Sequence, residues 1–271
     1  MDDRRFKKRT LLLIAYLLFA VLPVYWMVNM SFKTNEEITA SFSLWPHHFT
    51  WDNYKTIFTD ESWYSGYVNS LIYVGMNMVM SLLVALPAAY AFSRYKFPGR
   101  RFLLISLFAV NAFPKIGLYI SMAGVFYSLN LISTFAGVVI VQLIGTIVFM
   151  TWIPAAAFSA IPRSLEEAAR DVGAGPLRVF FRVTFPLAAP AIFVAMILSF
   201  LASFDEAQGT FLVGVPKYIT MPTEMYTLVL NYPEQVAAVF SILLAIPSVV
   251  LMSLARKHVM GGRLAEGFQI R

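Results

Sequence analysis

Polar and apolar positions in this chain alternate on the scale of whole helices rather than single turns. Apolar runs long enough to cross ~30 Å of hydrocarbon, about 20 residues each as a helix, recur roughly at 10–32, 66–92, 102–120, 135–160, 187–204 and 236–255. The pattern predicts an all-α polytopic membrane protein, one domain over residues 1–271 with six transmembrane helices. The first run follows Arg4, Arg5, Lys7, Lys8 and Arg9 as a secretory signal would. It continues through Trp26 and Met30 without a small-residue cleavage site, whereas a signal core is only about 7–15 residues long. The reading is a permanent first span.

Composition agrees with a bilayer as solvent. Hydrophobic residues make up 59% of the chain and charged residues 13%, against about 25% charged in soluble domains. Most Lys and Arg cluster at the N-terminus, in 93–101, in 161–186 and at the C-terminus; 33–65, 121–134 and 205–235 hold few. Positive loops stay cytoplasmic, which puts both termini in the cytoplasm, and an even number of spans agrees. The net charge of +6 then reflects topology and contact with anionic membrane lipid, and no nucleic-acid partner is implied. The absence of cysteine excludes disulfides, thiolate metal sites and cysteine nucleophiles. His47 and His48 are adjacent in a loop without further ligands nearby in sequence, so no metal site is expected. The aromatics of 33–65, Trp45, Phe49, Trp51, Tyr54, Phe58, Trp63 and Tyr64, suit a short interfacial helix at head-group level. Ser93 to Arg101, SRYKFPGRR, reads as a tight basic turn broken at Pro98-Gly99.

One polar segment is unlike the others. IPRSLEEAARDVGAGPLRVFFRVTFP, Ile161 to Pro186, reads as a short helix, a turn and a second short helix on the cytoplasmic side. Ser164 is placed to cap the first helix, with Glu167 completing a capping box. Leu165, Ala168, Ala169 and Val172 share one face, lined by small residues that permit close approach of another surface. Gly173 supplies the stop, and Pro176 fits the first position of the second helix, which runs through Leu177, Val179, Phe180 and Val183 to Pro186. An amphipathic elbow resting on the membrane remains the alternative.

The spacing of Glu167-Ala168-Ala169, then Gly173, then the exit at Pro186 resembles the EAA loop of permease subunits in binding-protein-dependent ABC importers. Tyr67 to Arg101 is similar to the second span and turn of maltose-type carbohydrate-uptake permeases, particularly their second permease partner. The resemblance covers roughly 67–190. It implies a type I importer permease of the bacterial or archaeal cytoplasmic membrane, translocating a small solute, a sugar or polyol first, by alternating access. It also implies a second homologous permease, two copies of an ABC ATPase carrying the ATP and Mg, and an extracytoplasmic solute-binding protein. This chain would bind no cofactor itself, and no G-x-x-x-x-G-K-[ST] stretch occurs in it. Glu167, Ala168, Ala169, Asp171 and Gly173 would form the ATPase-coupling surface. Two features depart from the maltose pattern. Asp171-Val172 sets the acid one place early, and the end GGRLAEGFQIR differs. Ser199 to Tyr226 looks more like polyamine- or opine-type permeases, which keeps such a solute as the alternative.

Polar groups at membrane depth are functional candidates by default. Asn77, Asn111, Lys115 and Gln142 qualify by position for a substrate pathway, and Pro87 and Pro114 are positioned to break helices. Each of these polar groups has a bland counterpart in an ordinary interhelical hydrogen bond or, for Lys115, in snorkelling to the interface. Asp205 and Glu206 end the fifth run and read equally as a lure for a cationic solute, as solvated loop charges or as a docking point for the binding protein. A secondary transporter would need an ion-coupling site and usually inverted repeats, for which six spans nearly free of carboxylates fit poorly. No nucleophile, metal cluster or acid pair suggests an enzyme.

Overall fold

The computed structural model describes residues 2–40, 42–59, 61–231 and 233–260. The unusual tail, residues 261–271, lies outside the described residues, and so does the side chain of Trp63. In chain order the α-helices are α1 (Asp2–Ser31), α2 (Asn35–Ala40), α3 (Asp52–Thr59), α4 (Glu61–Arg94), α5 (Arg100–Ala109) and α6 (Lys115–Ser128). There follow α7 (Phe135–Ala160), α8 (Arg163–Asp171), α9 (Pro176–Val179), α10 (Phe185–Phe204), α11 (Gln208–Gly214), α12 (Met221–Asn231) and α13 (Glu234–Met260). No strand occurs among the described residues. The described residues fall into two compact units, one drawn from 1–65 and 224–246 and the other from 66–223 and 247–271.

Five helices are long and apolar enough to cross a membrane, within α1, α4, α7, α9 through α10, and α13. The sixth span is not the straight helix expected over 102–120. α5, prolonged by a 3-10 turn at Val110–Ala112, and α6 meet at 110° and count as a sixth span only if taken as one broken element. Pro114 is the cause. It lacks an amide hydrogen and disfavours helical backbone in the residue before it, and Phe113 is extended at φ −80°, ψ 148°. Pro87, by contrast, sits inside an unbroken α4, as membrane helices tolerate where neighbours satisfy the freed carbonyl.

In the first unit, the expected single interfacial helix is two short ones, α2 and α3, joined by a non-helical aromatic stretch. Phe32 stacks on Phe49 at 4.5 Å and meets the edge of Trp51 at 5.0 Å. Tyr25 donates its hydroxyl to the Leu44 carbonyl, and Lys33, buried, donates to the Ser43 carbonyl at 2.6 Å while lying 5.2 Å from the Trp26 ring. Glu37 organises the turn. Its carboxylate accepts the backbone N–H groups of His47 (2.8 Å) and His48 (3.2 Å) and the Ser43 hydroxyl (3.0 Å). Burial works to raise the Glu37 carboxyl, but these hydrogen bonds outweigh it and hold it below the ordinary carboxylate range. The adjacent histidines thus serve through their backbone, and no group of three or more His, Asp or Glu suited to a metal occurs among the described residues.

The second unit is built around α7, which packs chiefly on α10 and also on α11. Thr134 caps α7 by accepting the Gly137 amide at 3.0 Å. Small side chains let the helices approach closely: Ala85 and Ala89 on α4, Ala155 on α7, and Ala188 and Ala195 on α10 are all buried, with Phe158 and Ile192 filling the space between.

Candidate functional site

The polar segment folds as a hairpin of α8 and a second arm, with one difference from expectation. The second arm does not end near Pro186. α9 passes through a π-helical segment, Phe180–Thr184, directly into α10, so Pro176–Phe204 is a continuous element. Pro176 occupies the first position of α9, where no intrahelical N–H bond is lost, whereas Pro186 lies within the continuous element, just past the π-helical segment. The start of α8 also differs. Pro162 is its cap, with φ −58° and ψ 132°, and no side chain caps it. Ser164 therefore lies one residue inside the helix, and the capping box is not formed.

The end of α8 is closed by Gly173, at φ 85°. The Gly173 amide donates to the Arg170 carbonyl at 2.8 Å and the Ala174 amide to the Ala169 carbonyl at 3.1 Å. This pair of bonds is the Schellman arrangement, which places a left-handed residue just past the helix.

The hairpin turns its apolar stripe outward. Leu165, Ala168 and Val172 are exposed, Val172 at 85%, and Ala169 is half-buried. Leu177 and Phe181 extend the exposed apolar surface along the second arm, among Arg170, Arg178 and Arg182. Glu167, Asp171 and Gly173 are exposed as well. The residue of α8 that is buried is Glu166. Its Oε1 accepts Arg94 Nη2 at 2.8 Å and Nε at 2.9 Å, together with the Thr184 hydroxyl at 2.8 Å. The Arg94 guanidinium also donates to the Ile161 carbonyl at 3.3 Å, and Arg163 returns a bond to the Arg94 carbonyl at 2.9 Å. Sequence reading did not single out Arg94, Glu166 or Thr184. The available signal was the Glu166-Glu167 doublet: neighbours on a helix point about 100° apart, so one faces inward when the other faces out.

A second polar constellation runs through the helix core. Asn77 on α4 donates to Ser203 Oγ at 2.9 Å and accepts from Ser81 (3.2 Å) and Thr146 (3.1 Å). Ser203 donates to Gln142 Oε1 at 2.8 Å, and Gln142 Nε2 donates to Thr210 at 3.4 Å. Thr210 in turn donates to Glu206 Oε2 at 2.7 Å. The chain thus joins Asn77 and Gln142, two of the sequence candidates, to Glu206, and all three are buried. Asn111 and Lys115 are not brought to it; both are exposed, on either side of the break between α5 and α6.

Asp205 and Glu206, taken together from sequence, separate. Asp205 is exposed, whereas Glu206 is buried and accepts the amides of Gly209 (2.6 Å) and Thr210 (3.0 Å) at the start of α11. Glu206 is a helix cap and no solvated loop charge. Glu206→Ala removes that cap and strands two amides, and is expected to cost about 1–2 kcal/mol. Thermal unfolding of the detergent-solubilised chain, with Asp205→Ala as the unaffected comparison, checks this.

Comparison with known proteins places the arrangement. Residues 63–260 match the family model described as the binding-protein-dependent transport system inner membrane component. The sulfoquinovosyl glycerol transport system permease protein SmoH of Agrobacterium fabrum is 28% identical, over 91% of this chain and 88% of its own length. The trehalose transport system permease protein SugB of Mycobacterium tuberculosis is also 28% identical, over 90% of each chain. In fold, the chain superposes on a chain of a bacterial ABC transporter involved in the import of the acidic polysaccharide alginate, with a TM-score of 0.76 at 22% identity, covering 95% and 97% of the two chains. With the family match spanning α4 to α13 and these permeases matched over nearly their whole length, the chain belongs to the inner-membrane permease components of binding-protein-dependent ABC importers.

Proposed function

We propose that this permease carries a sugar or a closely related polyhydroxylated solute, driven by an ATPase that docks on the α8–α9 hairpin. The observation that carries the solute class is full-length similarity to permeases named for sulfoquinovosyl glycerol and trehalose. It favours a sugar over the polyamine or opine suggested by Ser199 to Tyr226. The working assembly is this chain, a second homologous permease, two ATPase subunits holding ATP and Mg, and an extracytoplasmic binding protein. Both termini and the hairpin face the cytoplasm, in keeping with the Lys and Arg distribution.

Geometry supports the hairpin as the docking element. An exposed apolar stripe of Leu165, Ala168 and Val172 on a helix flanked by Glu167, Arg170 and Asp171 is suited to a shallow groove with a polar rim on a soluble protein. Glu167 supplies a charge-assisted hydrogen bond to that partner, the alanines close packing and Gly173 the turn. ATP-driven closure of the ATPase pair moves the hairpins and shifts the spans between outward- and inward-open states, each favoured by its own contacts. The buried chain from Asn77 to Glu206 holds α4, α7, α10 and α11 in register. The test is mass spectrometry of proteins that co-purify with the chain from gently solubilised native membranes. An ATPase and a second permease are expected, with sugar uptake lost on deletion of the chain. Recovery of the chain alone, or uptake unaffected by its loss, contradicts the proposal.

A further inference from the structure

We propose that Arg94, Glu166 and Thr184 form a latch that makes α8 move as one body with α4 and with the continuous Pro176–Phe204 element. The idea rests on the reading of α8 as the ATPase-docking helix and assigns the residues through which its displacement reaches the membrane spans.

Both ends of α8 are built to bend. On one side Ile161 and Pro162 are extended, at ψ 123° and 132°. On the other, Gly173 is left-handed at φ 85°. A few loop or helix-terminal residues that absorb φ/ψ change are what a hinge requires. With α8 otherwise half-buried or exposed, a push on its outer face would swing the helix about these two points and leave the spans behind. Glu166 prevents that. One carboxylate oxygen is held by Arg94, the last residue of α4, and by Thr184, the last residue of the π-helical segment. The same guanidinium grips the Ile161 carbonyl at the first hinge, and Arg163 grips the carbonyl of Arg94. The latch therefore spans the hinge and ties it to two membrane helices at once.

Two further observations give the contact more than a packing role. The pair is almost fully desolvated, with side chains 7% and 6% exposed. Buried ion pairs are poor sources of stability compared with apolar residues of the same volume, and their better-attested use is to fix one arrangement over others. Thr184 also lies in a π-helical segment, a local irregularity that is frequent at functional sites. Arg94 and Glu166 are positioning residues: they act through α8 and do not meet the solute.

The test uses the complete importer, reconstituted with ATPase and second permease. Spin labels are placed at Val172→Cys, the C-cap of α8, and Tyr95→Cys just past α4, both exposed sites in a chain without native cysteine, with partner cysteines removed. With the latch intact, the interspin distance distribution is expected to stay the same in nucleotide-free and ADP–vanadate-trapped complexes. In Arg94→Ala, Glu166→Gln and the near-isosteric Thr184→Val, trapping is expected to shift or broaden it; Thr184→Ser, which keeps the hydroxyl, restores the intact behaviour. Variants whose distribution is as invariant as the parent's overturn the latch while leaving ATPase docking in place. Loss of assembly in all three, with none that assembles and shows the shift, also overturns it and leaves a structural prop. A Val172 label that stays freely mobile when the ATPase is bound overturns the docking reading itself, and the latch with it.

Discussion

Glu167→Lys is expected to leave the chain in the membrane with its fold intact and to reduce solute uptake by roughly a hundredfold. Glu167 is exposed on α8, one position from the buried Glu166, and no hydrogen bond or ion pair among the described residues depends on its carboxylate. Surface charge changes away from packing and caps alter stability by about 0.5 kcal/mol or less. Against the ATPase the balance differs. A desolvated charge partner that is removed costs about 2–5 kcal/mol, and reversal adds repulsion, so a loss of about 3 kcal/mol, roughly two decades in affinity, is a moderate expectation. Membrane abundance, thermal unfolding and uptake measured on the same preparation check it. Normal uptake by the variant would remove Glu167 from the docking surface. A collapse in abundance would instead assign it an internal role that its exposure contradicts.

The second large effect is at Gly173. A Cβ there would meet nothing within 4 Å, so crowding does not explain the glycine. Its φ of 85° does. Left-handed backbone costs an ordinary L-residue about 1–2 kcal/mol, and a bulky side chain sits at the unfavourable end of that scale. Gly173→Leu is therefore expected to unravel the Schellman closure and misdirect α8, lowering uptake by about tenfold. Asparagine tolerates the left-handed region better than other residues, so Gly173→Asn should retain most uptake. Equal loss in both variants would show that the position is intolerant of any side chain at the docked surface, and the backbone explanation would fail.

Which parts of this molecule were legible in sequence follows from the range of the interactions involved. The spans were readable because burial in lipid acts residue by residue along a helix, and Gly173 because a helix stop is a local backbone matter. The break at Phe113-Pro114 was half legible. Proline signals a discontinuity, but whether neighbours absorb it, as at Pro87, or the chain turns through 110° depends on packing that sequence does not display. The hairpin shows a sharper limit. An apolar stripe on a polar helix is ordinarily assigned to the protein's own core, yet here Leu165, Ala168 and Val172 face out and a glutamate faces in. The inward face is settled by Arg94, 72 positions earlier, and no local pattern encodes such a pairing. Asn77 and Gln142 were identified by depth, but their connection through Ser203 to Thr210 and Glu206 depends on four helices meeting. The same contact separated Glu206 from Asp205, identical in sequence logic and opposite in burial.

The most direct test of the central claim is a cross-link from the outer face of α8. Because the chain has no cysteine, Val172→Cys can carry a single maleimide–benzophenone group at its 85% exposed position. Irradiation of the native importer in membranes is predicted to join this chain covalently to the ATPase subunit, with a yield that changes when ATP or vanadate is added. A label that reacts only with lipid or water, while the ATPase is demonstrably present in the same complex, would contradict the account of α8 as the docking helix.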